Sequence, residues 1–329
     1  MELGIDLGTA NTVVSDVRRG ILFDEPSVML LRRGSGRRER VLAVGREAAD
    51  LLGRAPSGFV AVRPLQDGVV TDLETARLYL RSVLTKVGRR TAGLPVRAVI
   101  GVPVSSTALE HRALIEAAEE ARIRPVTALD DSIAGAVGCG IDPLERRVHM
   151  VVDVGGGTAE AVAFCFGGVL AHRTSKHGGE EMTLAVSRHL REQHQLHVGE
   201  LEAENLKIRS VAEENAPLVV QGRDVVTGRA RLATVRAAEV ADAVRPITDA
   251  IVRTLAACLD DLPPQALADV LAEGVLVFGG SSQIQGFPQE LERSLGLPVK
   301  LAEAPMTCVA EGAARAVRDR RLLAAYARS

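Results

Sequence analysis

Tryptophan is absent from the 329-residue chain, and two tyrosines and six phenylalanines are its only aromatics. That scarcity argues against base-stacking platforms for nucleic acid and against the aromatic belts of membrane-spanning proteins. Long apolar runs are missing too: none reaches the roughly 18 residues that a spanning helix needs. The charge balance, 40 basic against 42 acidic residues with a net charge of −2, lacks the basic excess of a general nucleic-acid binder. Lysine is scarce, occurring only at Lys86, Lys176, Lys207 and Lys300, while arginine supplies the other basic groups. The four cysteines, Cys139, Cys165, Cys258 and Cys308, form no C-x-x-C pair and read as buried thiols in a reducing compartment. The opening Met1-Glu2-Leu3-Gly4-Ile5-Asp6 has neither a basic region nor an apolar signal core, so a cytoplasmic location is expected. What the chain does have is apolar content of 47% and a mean hydropathy of +0.12, enough for a large core. Its length fits two domains, or one domain duplicated.

Duplication is visible in the pattern. Leu3–Leu7 is an apolar strand with Asp6 near its end, followed by Gly8-Thr9-Ala10-Asn11-Thr12, a strand Val13–Val17 and a third strand Ile21–Leu30. His149–Val154 repeats this with Asp153, then Gly155-Gly156-Gly157-Thr158, a strand Ala159–Phe166, a Gly167-Gly168 hairpin signal and Val169–Thr174. In the first half Thr71 with Glu74, and Thr107 with Glu110, have capping-box spacing and open helices to about Lys86 and Ala121. Strands Val96–Val102 and Pro125–Leu129 and a short helix from about Asp131 follow. The second half predicts helices over Glu181–Gln193, Leu201–Arg209 and Pro246–Leu259, Pro246 being a good first-turn residue. Strand Val275–Phe278, helix Pro288–Leu295, strand Val299–Ala302 and a last helix from about Thr307 complete it. Each half reads as β-β-β-α-β-α-β-α, which implies α/β layers. Two insertions, about 31–65 and 178–240, are too long for plain loops and read as small subdomains, the second with a β-ribbon over Val219–Val235.

Each Asp-x-Gly loop joins two strands, so neither is a Walker P-loop, and no G-x-x-x-x-G-K-[ST] occurs. Glycine nonetheless lets backbone N–H groups converge on an anion, and Thr9, Asn11, Thr12 and Thr158 add neutral donors. Asp6 and Asp153 would repel phosphate unless a divalent cation lay between; Mg²⁺, an oxygen-ligated ion that bridges carboxylates and phosphates, fits. Either loop alone is compatible with an ordinary hairpin turned by Asp. Two in equivalent positions favour a ligand site. Gly279-Gly280-Ser281-Ser282, after strand Val275–Phe278 and before a helix, permits a flat base or ribose to lie on the backbone.

These motifs carry a family resemblance. Gly4-Ile5-Asp6-Leu7-Gly8-Thr9-Ala10-Asn11-Thr12 resembles the first phosphate motif of the MreB family, the bacterial rod-shape actin homologues. Val152-Asp153-Val154-Gly155-Gly156-Gly157-Thr158 resembles its second, and Val277-Phe278-Gly279-Gly280-Ser281 its adenosine motif. The segments Asp24–Val28, Arg63-Pro64-Leu65 with Asp67-Gly68-Val69, Gly222–Gly228 and Met306–Ala310 are also similar, so the likeness covers essentially the whole chain.

The resemblance implies a duplicated actin-like (ribonuclease H-like) ATPase fold, α/β throughout. Domain I would comprise 1–137 plus 315–329, domain II 138–314, with ATP and Mg²⁺ in the cleft between them. It implies that Asp6 and Asp153 hold Mg²⁺ through water and that Gly8, Thr9, Ala10, Asn11 and Thr12 cradle phosphates with Gly155, Gly156, Gly157 and Thr158. Gly279, Gly280 and Ser281 would flank adenosine, and Glu204 and Lys207, at i and i+3 on one helix face, would meet ribose and base. By the same resemblance Asp131 and Thr158 would be the catalytic residues: where the family has Glu-Glu-Pro this chain has Asp130-Asp131-Ser132, and Asp131 would orient the attacking water. The competing reading makes Asp130-Asp131 a plain helix cap. Asp is one methylene shorter than Glu, so slow hydrolysis is expected.

The family's partners would be further copies of the chain in head-to-tail filaments and the cell-wall synthesis machinery; nucleic acid is not expected. Only Met1-Glu2-Leu3 precedes the first motif, and the loop Arg89–Pro95 offers a single Leu94 beside two arginines. Peripheral membrane association therefore rests on many weak sites of a filament and stays an open alternative. Other functions on the same fold are a non-polymerising ATP-binding regulator, a sugar or metabolite kinase and a chaperone. The kinase would need a catalytic base and substrate pocket for which no motif speaks, and the chaperone a long region after the helix near Thr307. His189, His194 and His197 lie close in sequence, but their spacing does not put all three on one helix face, so no metal site is expected there. Arg315, Arg318, Arg320 and Arg321 read as the solvated side of the last helix.

Overall fold

The computed structural model describes residues 1–32, 40–66, 69–70, 72–88, 96–213 and 216–328. Two sheets of the same topology form its frame. In the first, β1 (Glu2–Leu7), β2 (Asn11–Asp16) and β3 (Gly20–Pro26) run antiparallel. On the other side of β1, β4 (Val96–Val102) and β5 (Ile123–Asp130) add in parallel, and Ala327–Arg328 closes that edge. In the second, β6 (His149–Val154), β7 (Ala159–Cys165) and β8 (Gly168–Ser175) are the antiparallel meander. Beyond β6, β9 (Val275–Phe278) and β10 (Val299–Leu301) add in parallel. The central parallel strands are apolar on both faces, as a sheet covered by helices requires.

Helices α1 (Leu73–Lys86) and α2 (Ala108–Glu120) cover the first sheet. The Thr107/Glu110 capping box is present, whereas α1 is capped by Asp72, which accepts from the Thr75 N–H at 2.7 Å. Thr71, like Asp67, Gly68 and the Arg89–Pro95 loop, lies outside the described residues. Next in the chain come α3 (Asp131–Gly138), α4 (Gly179–Gln193), α5 (Glu200–Ala212), α6 (Ala237–Ala256), α7 (Pro264–Glu273), α8 (Phe287–Leu295), α9 (Cys308–Ala316) and α10 (Arg320–Tyr326).

The halves meet where α3 crosses α9. A Cβ on Gly312 would overlap the Ala134 carbonyl, so only glycine lets these backbones approach so closely. Around that crossing Val99, Leu129 and Ile133 from the first half pack with Val151, Phe164 and Phe278 from the second in one apolar cluster. Each large side chain buried there contributes about 1.5–3 kcal/mol, so the halves share a core at their base.

Several expectations are corrected. The third strand ends at Pro26, and Met29–Arg32 turns into a separate three-stranded sheet with Arg40–Val44 and Phe59–Val62. The helix expected from Pro246 starts at Ala237. Pro246 sits inside it, because the buried face Val240, Val244, Thr248, Ile251 and Leu255 runs through the proline and outweighs its lost hydrogen bond. Helix α7 has no counterpart in the sequence reading. The last helix is two, broken at Asp319, which caps α10 through the Arg321 and Leu322 N–H groups. Arg315 donates to the Val137 and Gly138 carbonyls at the end of α3, and Arg318 pairs with Glu2, so these two are fastened rather than merely solvated. Cys258 and Cys308 are buried, but Cys139 and Cys165 only half-buried; all four are free.

Candidate functional site

Asp6 and Asp153 are each the penultimate residue of the first strand of their sheet, so the duplication alone delivers two carboxylates to corresponding places. Asp6 stands opposite Val13 on β2, and Asp153 stands between Glu160 on β7 and Phe278 on β9. Asp131 starts α3 directly after β5. Burial raises all three carboxyls. That of Asp6 is pushed up to about 7, first by burial and then by the charge of Asp24. Asp153 rises well above the carboxylate range through burial, then Asp6 and Glu160. Asp131 does so through burial, then Asp6, Asp153, Glu160 and Asp130. Three acids raised first by burial, two of them also by the charge of Asp6, form an anionic focus that a cation would relieve.

The neighbouring Asp130 is different. It is 2% exposed and held by Arg328 through two bonds, Nε to Oδ1 at 2.7 Å and Nη2 to Oδ2 at 2.9 Å, and it makes no side-chain cap bond to α3. Asp131 Oδ1, by contrast, is buried without a hydrogen-bond partner. Gly101 on β4 makes room for it, since a Cβ there would overlap that oxygen. Of the two acids, one is committed to the scaffold and the other is available.

The glycine loops of the two halves come together: a Cβ on Gly156 would lie 2.8 Å from that of Ala10. In the second loop Gly155 N–H donates to the Thr158 carbonyl at 2.9 Å, which closes the turn and leaves Thr158 half-buried. The start of α4 is fastened to this loop by Gly179 N–H to Gly155 O (3.0 Å) and Glu180 N–H to Gly156 O (2.8 Å). Ser281 Oγ reaches the same Gly155 carbonyl at 2.9 Å. Gly279 adopts φ +88°, and any Cβ there would strike Asp153 and the Val154 backbone. Gly280–Gln283 is a short 3₁₀ turn, and the helix expected from Pro288 starts at Phe287, past the glycines.

Glu204 and Lys207 do share one face of α5. Lys207 is 5% exposed, pairs with Glu204 Oε2 at 2.7 Å, and donates to Gly179 O and Thr183 Oγ1, both at 2.8 Å. Its ammonium thereby joins α5 to the beginning of α4 and to the second loop. In the first loop Thr9 is buried while Gly8, Ala10 and Asn11 are half-buried. Thr12, expected among the phosphate-cradling residues, is fully buried, its hydroxyl 2.8 Å from Ser27 Oγ and accepting from Tyr79 at 3.0 Å. It props the loop from beneath, as does Ser27 Oγ donating to Gly8 O at 2.6 Å.

Two groups escaped the sequence reading. Glu160 on β7 is 3% exposed, and its carboxylate accepts from Val104 N–H (2.9 Å), Ser105 N–H (3.3 Å), Ser105 Oγ (2.9 Å) and Thr174 Oγ1 (3.2 Å). It ties the segment after β4 to the second sheet, opposite Asp153 on β6. The signal was there: a lone acid in the otherwise apolar run Ala159-Glu160-Ala161-Val162-Ala163-Phe164. The other is Arg63, noted in the sequence only within a family-like segment, which makes an ion pair with Glu200 at the start of α5 and so joins the first half to the second.

An all-oxygen set (Asp6, Asp131, Asp153) beside backbone-rich loops is the donor chemistry of a hard divalent cation with phosphates. The MreB/Mbl protein family model matches residues 1–325. The cell shape-determining protein Mbl of Bacillus subtilis (strain 168) is 34% identical over 315 residues, covering 94% of each chain. The cell shape-determining protein MreB of Escherichia coli (strain K12) is 33% identical over 322 residues, 96% of this chain and 93% of that one. Among solved structures, MreB5 of Spiroplasma citri bound to ADP superposes with a TM-score of 0.88 at 24% identity, covering 98% of this chain and 97% of that one. The MamK double helical filament gives 0.79 at 24%, covering 95% and 97%. The fold is therefore actin-like, and the chain belongs to the MreB/Mbl family.

Proposed function

We propose that this chain is a cytoskeletal ATP-binding protein that polymerises head to tail into filaments organising cell shape and cell-wall synthesis, and that it hydrolyses ATP slowly. The observation that carries the reading is the convergence of Asp6, Asp131 and Asp153, with glycine loops from both halves, at one cleft between two sheets of like topology. The names of the similar proteins support it: cell shape-determining proteins, MreB5 with ADP or AMPPNP bound, and a filament. The domains are then 1–137 plus 315–329 and 138–314, sharing the α3/α9 crossing as their hinge. The chain would act in the cytoplasm, with peripheral membrane association as the alternative; among the described residues no helix is long and apolar enough to cross a membrane.

In this reading Gly8–Asn11 and Gly155–Thr158 present N–H and hydroxyl groups to the phosphates, while Gly279–Ser281 lies along the adenosine. Glu204 faces the ribose, and Lys207 keeps the base side of the pocket in place through Gly179. Asp6 and Asp153 would hold Mg²⁺, which when bound neutralises charge on phosphates and carboxylates alike. Asp131, with its free Oδ1, orients the water that attacks the terminal phosphorus, aided by the Thr158 hydroxyl. Because Asp is shorter than Glu, that water is misplaced by about 1 Å, which costs on the order of 10²-fold in rate.

Calorimetric titration of ATP with and without Mg²⁺, followed by electron microscopy of the Mg-ATP sample, tests the reading. Magnesium-dependent binding and filaments are expected. No nucleotide uptake by folded protein would overturn it, and binding without any polymer would replace it by a non-polymerising regulator.

A further inference from the structure

Far from the cleft, the C-terminal end of α4 meets the start of α6. His194 Nε2 lies 3.0 Å from Glu239 Oε2, and His189 Nε2 lies 3.9 Å from the same oxygen. All three ligand atoms are within 4.8 Å of one another, and the residues are half-buried. His189 Nε2 is buried with no hydrogen-bond partner, an arrangement that folded proteins avoid unless something else satisfies the nitrogen. Glu239 is already oriented: its Oε1 accepts from Arg236 Nε at 2.8 Å, which leaves Oε2 turned to the two imidazoles. The carbonyl of His194 is fixed by the Arg231 guanidinium. His197, the third histidine of the sequence cluster, is exposed on the neighbouring short strand and is not among the three. The carboxylate that replaces it comes from 45 residues further along the chain than His194.

The geometry points to a site for a first-row transition cation of the zinc class, held by His189, His194 and Glu239. Two imidazole nitrogens and one carboxylate oxygen are the donor set that suits Zn²⁺, and water would complete the coordination. Ligand atoms at about 2.0–2.1 Å from a tetrahedral ion are about 3.4 Å apart. The observed 3.0 and 3.9 Å separations bracket that spacing, so small side-chain movements suffice. The ion would displace the proton between His194 and Glu239 and supply the missing partner of His189. It would bind α4 to α6 in the second inserted subdomain, at the end of α4 opposite Gly179 and the nucleotide loop.

The test uses full-length, tag-free, metal-stripped protein titrated with Zn²⁺ against a chromophoric chelator. One equivalent per chain is expected, with thermal unfolding moved upward. His189→Gln and His194→Gln should each weaken binding about 100-fold or more, since even outer partners of a metal are worth 10–100-fold. His197→Gln and the double variant Cys139→Ser/Cys308→Ser should bind as wild type does. Mg-ATP binding reports that each variant is folded, because none of these residues belongs to the cleft reading. X-ray absorption of the zinc-loaded wild type should give a nitrogen and oxygen shell with imidazole scattering. Absence of binding, binding that survives both histidine changes, or a sulfur-containing shell would each overturn the proposal.

Discussion

Glu160→Ala tests whether the buried carboxylate opposite Asp153 fastens the two halves. The change removes the acceptor for four donors. Ser105 is exposed and Thr174 half-buried, so these can turn to water, but Val104 is buried and its N–H is left without a partner. An orphaned buried donor costs about 1–3 kcal/mol, and a lost bond to a charged acceptor about 1.5–3. Relief of repulsion on Asp131 and Asp153, both raised by Glu160, offsets part of this. The net expectation is about 2–4 kcal/mol, or roughly 30- to 1,000-fold in the opening equilibrium. Hydrogen exchange reads it locally: the Val104 and Ser105 amides should lose that much protection, while amides in α7, remote from the contact, keep theirs. Glu160→Gln, which keeps one carbonyl acceptor and removes the charge, should fall between. Protection of Val104 unchanged in the alanine variant, or lost equally throughout the chain, would refute the reasoning.

Asp131→Asn should lower phosphate release at least 10-fold while Mg-ATP affinity stays within a few-fold, and equal rates in both proteins would remove Asp131 from catalysis. Gly312→Ala places a methyl on the Ala134 carbonyl at the α3/α9 crossing; a loss of about 1–3 kcal/mol in denaturant melts is expected, as for other overpacked cores. Between its ordinary 3.8 and about 7, Asp6 keeps its proton in the folded chain but not in the unfolded one. Metal-free protein in EDTA should therefore become less stable as pH rises through that window, with Asp131 and Asp153 acting in the same sense. Mg-ATP should flatten this dependence and release protons on binding, seen as a calorimetric heat that varies with buffer ionisation enthalpy; no such variation near pH 6.5 would count against a cation among these carboxylates.

The duplication was legible in residue order alone, and with it the twin strands ending near Asp6 and Asp153 and their glycine turns. These depend on residue order over a few positions, where apolar runs and turn residues speak directly. Residue order also placed Glu204 and Lys207 on one helix face, because their spacing is a property of any helix. Long-range packing settled the other features. Pro246 inside a helix was hidden because burial of a long apolar face overrode a local preference. Of two adjacent aspartates, Asp130 was claimed by Arg328 from the far end of the chain and Asp131 left open, a division no local pattern encodes. Thr12 withdrew beneath its loop because Tyr79 and Ser27 met it there, and Glu239 joined two histidines it does not neighbour in sequence. Each of these turns on which distant groups the folded chain brings within hydrogen-bonding reach, and that proximity exists only once the sheets and helices have packed.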